Sequence, residues 1–175
     1  NAFSLFSSLK DRIARHEARV TTVGLGYVGL PLALTISEAG FPTTGLDLNE
    51  ARVAAINAGE RVISYFPEDR IRKAVAGGRF AATHDTTILA EADVILICVP
   101  TPLSPRREPD LSYVLRAAES ISEWLRPGQL VVLESTVWPG ATATVVKPIL
   151  ERRGLRAGED FFLAFSPERE DPGNH

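Results

Sequence analysis

Along this 175-residue chain, short apolar runs alternate with longer segments whose apolar residues recur every three or four positions. The runs 20–24, 43–47, 80–83, 94–99, 130–134 and 161–165 are rich in β-branched, aromatic and aliphatic residues and end in turn residues or charges, so each reads as a strand. Segments 28–39, 50–58, 68–76, 86–90, 111–125 and 141–153 read as helices between them. The unbroken apolar character of Val94-Ile-Leu-Ile-Cys-Val99 belongs to a strand covered on both faces. Strand–helix alternation of this kind predicts an α/β fold: a parallel, doubly wound sheet of about six strands with helices on both faces. A further helix is expected over 3–18, with Phe3, Phe6, Leu9 and Ile13 on one stripe and Lys10, Arg12 and Arg15 elsewhere, the pattern of a helix packed on the domain rather than on a membrane.

Chemistry enters at the first turn. Gly24-Leu-Gly26-Tyr-Val-Gly29 follows the first strand and opens a helix, and Asp47 ends the second strand 23 positions after Gly24. Together these make the dinucleotide-binding fingerprint of a Rossmann-type domain, whereas an ATP-type loop would need a Gly-Lys-Ser/Thr ending that is absent. Gly24 permits the tight turn, Gly26 lets the backbone approach a pyrophosphate, and Gly29 allows close helix–strand packing. Tyr27 and Val28 complete the loop and are expected to border the cofactor, at a helix start whose N–H groups and dipole favour an anion. Asp47 could cap the helix that follows or accept the ribose diol of an adenosine. Its place after the glycine turn favours the ribose, and its charge favours NAD over NADP.

In a parallel sheet a ligand crevice lies beyond the carboxyl ends of the strands. Pro100-Thr101-Pro102, Ser135-Thr136 with Pro139-Gly140, and Ser166-Pro167-Glu168-Arg169 all fall there, while the loops of the opposite edge carry ordinary turn residues. Each has a plain alternative: a rigid turn at Pro100 and Thr101, a loop hydroxyl at Thr136, a solvated charge at Glu168. Cys98, inside the apolar run, reads as a buried small hydrophobe rather than a nucleophile. Tyr113 and Trp124 read as packing residues on a helix, and no Cys/His spacing points to a metal.

Length and 45% hydrophobic residues suit one domain with a buried core. A net charge of −3 with interspersed signs gives no nucleic-acid footprint, and no apolar run approaches the roughly 20 residues of a membrane span. One cysteine excludes an internal disulfide and fits a reducing, cytoplasmic setting. The absence of methionine marks Asn1-Ala2 as a non-native start, and the polar run at 166–174 has the composition of a functional loop rather than a natural terminus. The expected organisation is a leading segment and helix over 1–18, then a dinucleotide-binding domain over 19–175 that continues into a longer protein.

Four motifs in this order, Gly24-Leu-Gly-Tyr-Val-Gly-Leu-Pro-Leu-Ala33, Cys98-Val-Pro-Thr-Pro102, Glu134-Ser-Thr136 with Pro139-Gly140, and Phe165-Ser-Pro-Glu-Arg-Glu-Asp-Pro-Gly-Asn174, resemble the amino-terminal domain of the UDP-glucose/GDP-mannose dehydrogenase family across 19–174. The Leu-Pro-Leu-Ala extension and the Ser-Pro-Glu-Arg form resemble the branch acting on UDP-N-acetylhexosamines, UDP-N-acetylglucosamine among them; Pro172 stands where the UDP-glucose branch carries a second glutamate. The resemblance implies oxidation of the sugar C6 alcohol to a carboxylate with two NAD, through a cysteine-bound thioester. It also implies a UDP-sugar substrate and a homo-oligomeric full-length protein. The nucleophilic cysteine, lysine and asparagine of such enzymes follow this domain. Within the chain, the resemblance assigns water ordering and acid/base work to Thr136 and Glu168, sugar contact to Glu168 and Arg169, and cofactor contact to Gly24, Gly26, Tyr27, Val28, Gly29, Asp47, Pro100, Thr101 and Thr136. Another Rossmann dehydrogenase, or a non-catalytic nucleotide-sensing module, are the rival readings.

Overall fold

A computed structural model of the chain describes residues 1–104 and 108–167. Six four-residue strands, β1 (Val20–Val23), β2 (Thr43–Leu46), β3 (Phe80–Thr83), β4 (Val94–Ile97), β5 (Leu130–Leu133) and β6 (Phe162–Phe165), form one sheet in the order β3-β2-β1-β4-β5-β6. Every pairing is parallel, with Val20 opposite both Thr43 and Val94, and Leu130 opposite both Val94 and Phe162. Chain order reverses between β1 and β4, which creates the switch point where crevices open in such sheets.

The helices are α1 (Ala2–Ala14), α2 (Gly29–Glu38), α3 (Glu50–Asn57), α4 (Glu68–Ala76), α5 (Ser112–Trp124) and α6 (Lys147–Leu150). Local chemistry starts several of them. Asn49 caps α3 by accepting from the Arg52 N–H at 3.0 Å, and Asp110 accepts from the Ser112 N–H at 2.8 Å where α5 begins. Strand alternation divides the core into layers. Ile95, Ile97, Val131 and Leu133 pack with Val114 and Ile121 of α5 and Ile149 of α6, whereas Val94, Leu96, Cys98 and Val132 point to the other face. Beyond β1, Leu25, Leu30, Leu34, Ile56, Ile71 and Phe80 fill the space beneath α2, α3 and α4.

Three elements differ from the periodic reading. The segment expected as one helix over 141–153 is a π-helix (Thr142–Val146), then α6, then a 3-10 turn (Glu151–Arg153). Pro148 has no N–H to donate, so the regular ladder cannot run through it. Residues Thr86–Ala90 are 3-10 rather than α. The first helix ends at Ala14, with His16 in the left-handed region at φ 58°, and leads into β1 at Val20. Its Leu9 is buried in the layer of Val94 and Leu96, and Phe6 meets Phe162 edge to face at 5.7 Å. Arg12 joins Arg126 and the Arg19 N–H on the buried Asp93 carboxylate, at 2.8, 3.2 and 2.8 Å.

Candidate functional site

Gly24 leaves β1 at φ 96°, and a Cβ there would stand 2.9 Å from the Cys98 carbonyl oxygen. At Gly29 a Cβ would stand only 1.7 Å from the Gly24 carbonyl oxygen, so the first turn of α2 can seat on the loop only through glycine. Gly26 differs from both: nothing lies within 4 Å of its Cβ position. The open space over Gly26, beside tight packing at Gly24 and Gly29, fits the approach of a pyrophosphate to the backbone.

Asp47 lies just beyond β2, nearly buried, and both its oxygens accept. Oδ2 takes the Leu25 N–H and the Arg52 guanidinium, each at 3.0 Å, and Oδ1 takes the Asn49 N–H at 2.9 Å. The alternative in which Asp47 caps α3 is therefore corrected: Asn49 is the cap, because its side chain and not that of Asp47 reaches the Arg52 N–H. Asp47 instead ties the glycine turn to the end of the second strand.

A cleft of about 630 Å³ opens at this edge, with Gly24, Asp47, Arg52, Pro100, Tyr113 and Arg116 in its walls. Gly24, Asp47 and Pro100 are thus brought together. Gly26, Tyr27 and Val28 belong to the adjoining loop, where Tyr27 is exposed, and Gly29 opens α2. Thr101 is half-buried outside the cleft wall, and Thr136 is exposed beyond β5. The loops after β4 and β5 are joined by Ser135, whose hydroxyl donates to the Val99 carbonyl at 2.7 Å. Glu168 and Arg169 lie outside the described residues. Among the described residues no group of His, Cys, Asp and Glu could hold a metal ion, and no helix is long and apolar enough to cross a membrane.

Sequence reasoning missed Arg52, Tyr113 and Arg116. A basic residue in the first turn of the helix after a strand-end acid was the available signal for Arg52. Tyr113 was read as a packing residue, but it is 41% exposed in the cleft wall, with the Arg116 guanidinium 4.8 Å from its ring. The opposite edge of the sheet also holds more than turn residues. A second cleft of about 280 Å³ there is walled by Arg19, Arg79 and Glu91, with Arg19 and Glu91 paired at 2.9 Å.

Two acids at helix starts are held below the usual carboxylate range. Asp85 accepts from the Thr87 backbone N–H, and Asp110 accepts from that of Ser112.

Residues 18–175 match the NAD binding domain of the UDP-glucose/GDP-mannose dehydrogenase family. The chain is 38% identical over 159 residues to the UDP-N-acetyl-D-glucosamine 6-dehydrogenase of Pseudomonas aeruginosa, covering 90% of this chain and 37% of that protein. Identity to the UDP-N-acetyl-D-mannosamine dehydrogenase of Pyrococcus horikoshii is 36% over 156 residues, covering 89% and 37%. The solved structure of an NDP-N-acetyl-D-galactosaminuronic acid dehydrogenase from Methanosarcina mazei superimposes with a TM-score of 0.85 at 33% identity, over 93% of this chain and 37% of that one. The chain thus spans somewhat over a third of the length of these relatives. The chain belongs to the UDP-glucose/GDP-mannose dehydrogenase family, as its NAD binding domain.

Proposed function

We propose that this chain holds NAD for a nucleotide-sugar 6-dehydrogenase that oxidises the C6 alcohol of a UDP-N-acetylhexosamine to the carboxylate. The observation that carries the reading is the convergence of Gly24, Asp47 and Pro100 on one cleft at the carboxyl edge, beside the open backbone at Gly26. Asp47 is assigned the adenosine ribose diol. To bind it, a carboxylate oxygen exchanges part of its bonding to Arg52 for the diol while the Leu25 and Asn49 N–H groups hold the side chain in place. The N–H groups at the start of α2 are assigned the pyrophosphate, with Tyr27 and Val28 bordering it, and Thr101 and Thr136 border the nicotinamide half.

Bound NAD supplies the hydride acceptor, and two equivalents take the four electrons that separate alcohol from carboxylate. Thr136 orders the attacking water, Glu168 accepts its proton, and Arg169 contacts the sugar. Relatives named for UDP-N-acetylglucosamine and UDP-N-acetylmannosamine support the substrate class. The reading includes a homo-oligomeric, cytoplasmic full-length protein.

Titration of NAD and NADP against the chain and its Asp47→Ala variant tests the cofactor reading. NAD binds the unaltered chain more tightly than NADP, and Asp47→Ala removes that preference, leaving Arg52 and Arg116 to receive a 2′-phosphate. Equal or tighter NADP binding by the unaltered chain sinks the assignment.

A further inference from the structure

The loop between α3 and α4 carries an exposed aromatic ring that the cofactor reading leaves without a task. Tyr65 is 46% exposed and stacks on Tyr27, itself 55% exposed, with ring centroids 5.8 Å apart and planes 11° from parallel. The two rings come from loops about 40 positions apart in sequence, one of them the phosphate turn.

The backbone that carries Tyr65 is anchored on both sides. The Phe66 N–H donates to the Ile63 carbonyl at 3.0 Å, closing a turn with Ser64 and Tyr65 at its tip, and both flanking side chains, Ile63 and Phe66, are buried in the layer under α2, α3 and α4. The Arg70 guanidinium lies 5.4 Å from the Phe66 ring centre. It also donates to both Glu38 oxygens, at 2.6 and 2.8 Å, and to the Thr35 hydroxyl at 2.7 Å. These contacts rivet α4 and its leading turn to α2, the helix whose first turn follows Tyr27.

We propose that Tyr65 is a positioning residue for the dinucleotide: by stacking on Tyr27 it holds that ring in one orientation beside the pyrophosphate, so that binding need not freeze it. The inference rests on the reading of the Gly24–Gly29 turn as the NAD site. An aromatic side chain at the mouth of a phosphate turn, left unstacked, samples several rotamers, some of them across the backbone N–H groups. Pre-organising it removes an ordering cost from binding without adding a contact. The chemistry that recognises the ligand is unchanged. What Tyr65 alters is the fraction of molecules ready to receive it.

The test is calorimetric titration of NAD into the chain and into Tyr65→Ala, Tyr65→Phe, Tyr27→Ala and the Tyr27→Ala/Tyr65→Ala double variant, with the melting temperature of each. The proposal expects Tyr65→Ala to weaken NAD by about two- to tenfold, the effect of freezing one side chain, at an unchanged melting temperature. Tyr65→Phe, which keeps the stacking face, restores wild-type affinity. In the Tyr27→Ala background, loss of Tyr65 has no further effect. Unchanged affinity in Tyr65→Ala, or an equal loss whether or not Tyr27 is present, overturns the proposal while leaving the NAD site standing. Failure of the unaltered chain to bind NAD overturns the site reading itself, and this inference with it.

Discussion

Gly26 and Gly29 lie three positions apart, yet the structure assigns them opposite burdens. A Cβ at Gly29 collides with the Gly24 carbonyl at 1.7 Å, a contact that only displacement of α2 relieves. Gly29→Ala should therefore cost about 3 kcal/mol of stability or prevent folding, measured by urea unfolding. Gly26 has an ordinary φ and open space around it, so Gly26→Ala should unfold at the same denaturant concentration as the unaltered chain. Its added methyl group enters the space assigned to the pyrophosphate, and NAD should bind at least tenfold more weakly, about 1.4 kcal/mol. Equal NAD affinity in Gly26→Ala would move the pyrophosphate elsewhere. Gly45 shows a third use of glycine: its missing side chain makes room for Leu25, whose methyl groups lie 2.5 and 2.8 Å from the Cβ position.

Among the elements, α1 lies outside the family match yet is bound to the sheet through one buried acid. Asp93 is 3% exposed and receives Arg12, Arg126 and the Arg19 N–H. Asp93→Ala removes all three bonds and should destabilise the chain by about 2–3 kcal/mol, with loss of amide-exchange protection in α1. Arg12→Ala leaves Arg126 on the carboxylate and should cost less than about 1 kcal/mol. Equal losses from the two would show that the network does not centre on Asp93. Helix starts respond to acid instead. Asp85 and Asp110 titrate below their ordinary values because backbone N–H groups stabilise the charged form. The stability they contribute is fully present above the unfolded-state carboxylate range and is lost as pH falls through the depressed folded-state values. An Asp85→Asn/Asp110→Asn variant should therefore show a shallower decline of stability in acid than the unaltered chain. An acid limb of the same steepness would assign acid unfolding to other carboxylates.

For the whole molecule the proposed chemistry divides between this domain and the remainder of the family's architecture. Cys98 is buried in the layer beneath α2, so NADH production from UDP-N-acetylglucosamine by this chain alone should stay at background, and Cys98→Ser should change nothing. Activity that Cys98→Ser abolishes, with the fold intact, would reverse that. Under the proposed reading of a full-length 6-dehydrogenase with Glu168 as its base, Glu168→Gln keeps the shape of the side chain and removes its basicity. General-base help is worth typically 10²–10⁴-fold, so on that reading the variant should pass hydride and then accumulate sugar on the cysteine the proposal requires, seen as a mass increase of the intact protein. Turnover at the unaltered rate, or a stall without the adduct, would make Glu168 a surface charge or a binding residue only.

The local and periodic features of this protein were legible in its residues. Strand positions followed from apolar runs, helix positions from three-to-four spacing, and the glycine turn with its strand-end acid from offsets along the chain, because each is set by neighbours close in sequence. Pro148 stands in the segment read as one helix over 141–153, and its missing N–H breaks the regular ladder there, with a π-helix ahead of α6. What periodicity could not supply was the identity of groups meeting across the sheet. Tyr113 and Arg116 beside Asp47 in the cleft wall, Tyr65 on Tyr27 and three donors on Asp93 come from elements whose distance in space has no regular relation to their separation in the chain. Its place on a helix marks Tyr113 as a packing residue, and only the position of α5 in the fold turns it toward the cleft. The sequence by itself determined the order of strands and helices and the place of the glycine turn; the tertiary structure decided which side chains surround that turn, because that is a property of packing rather than of spacing.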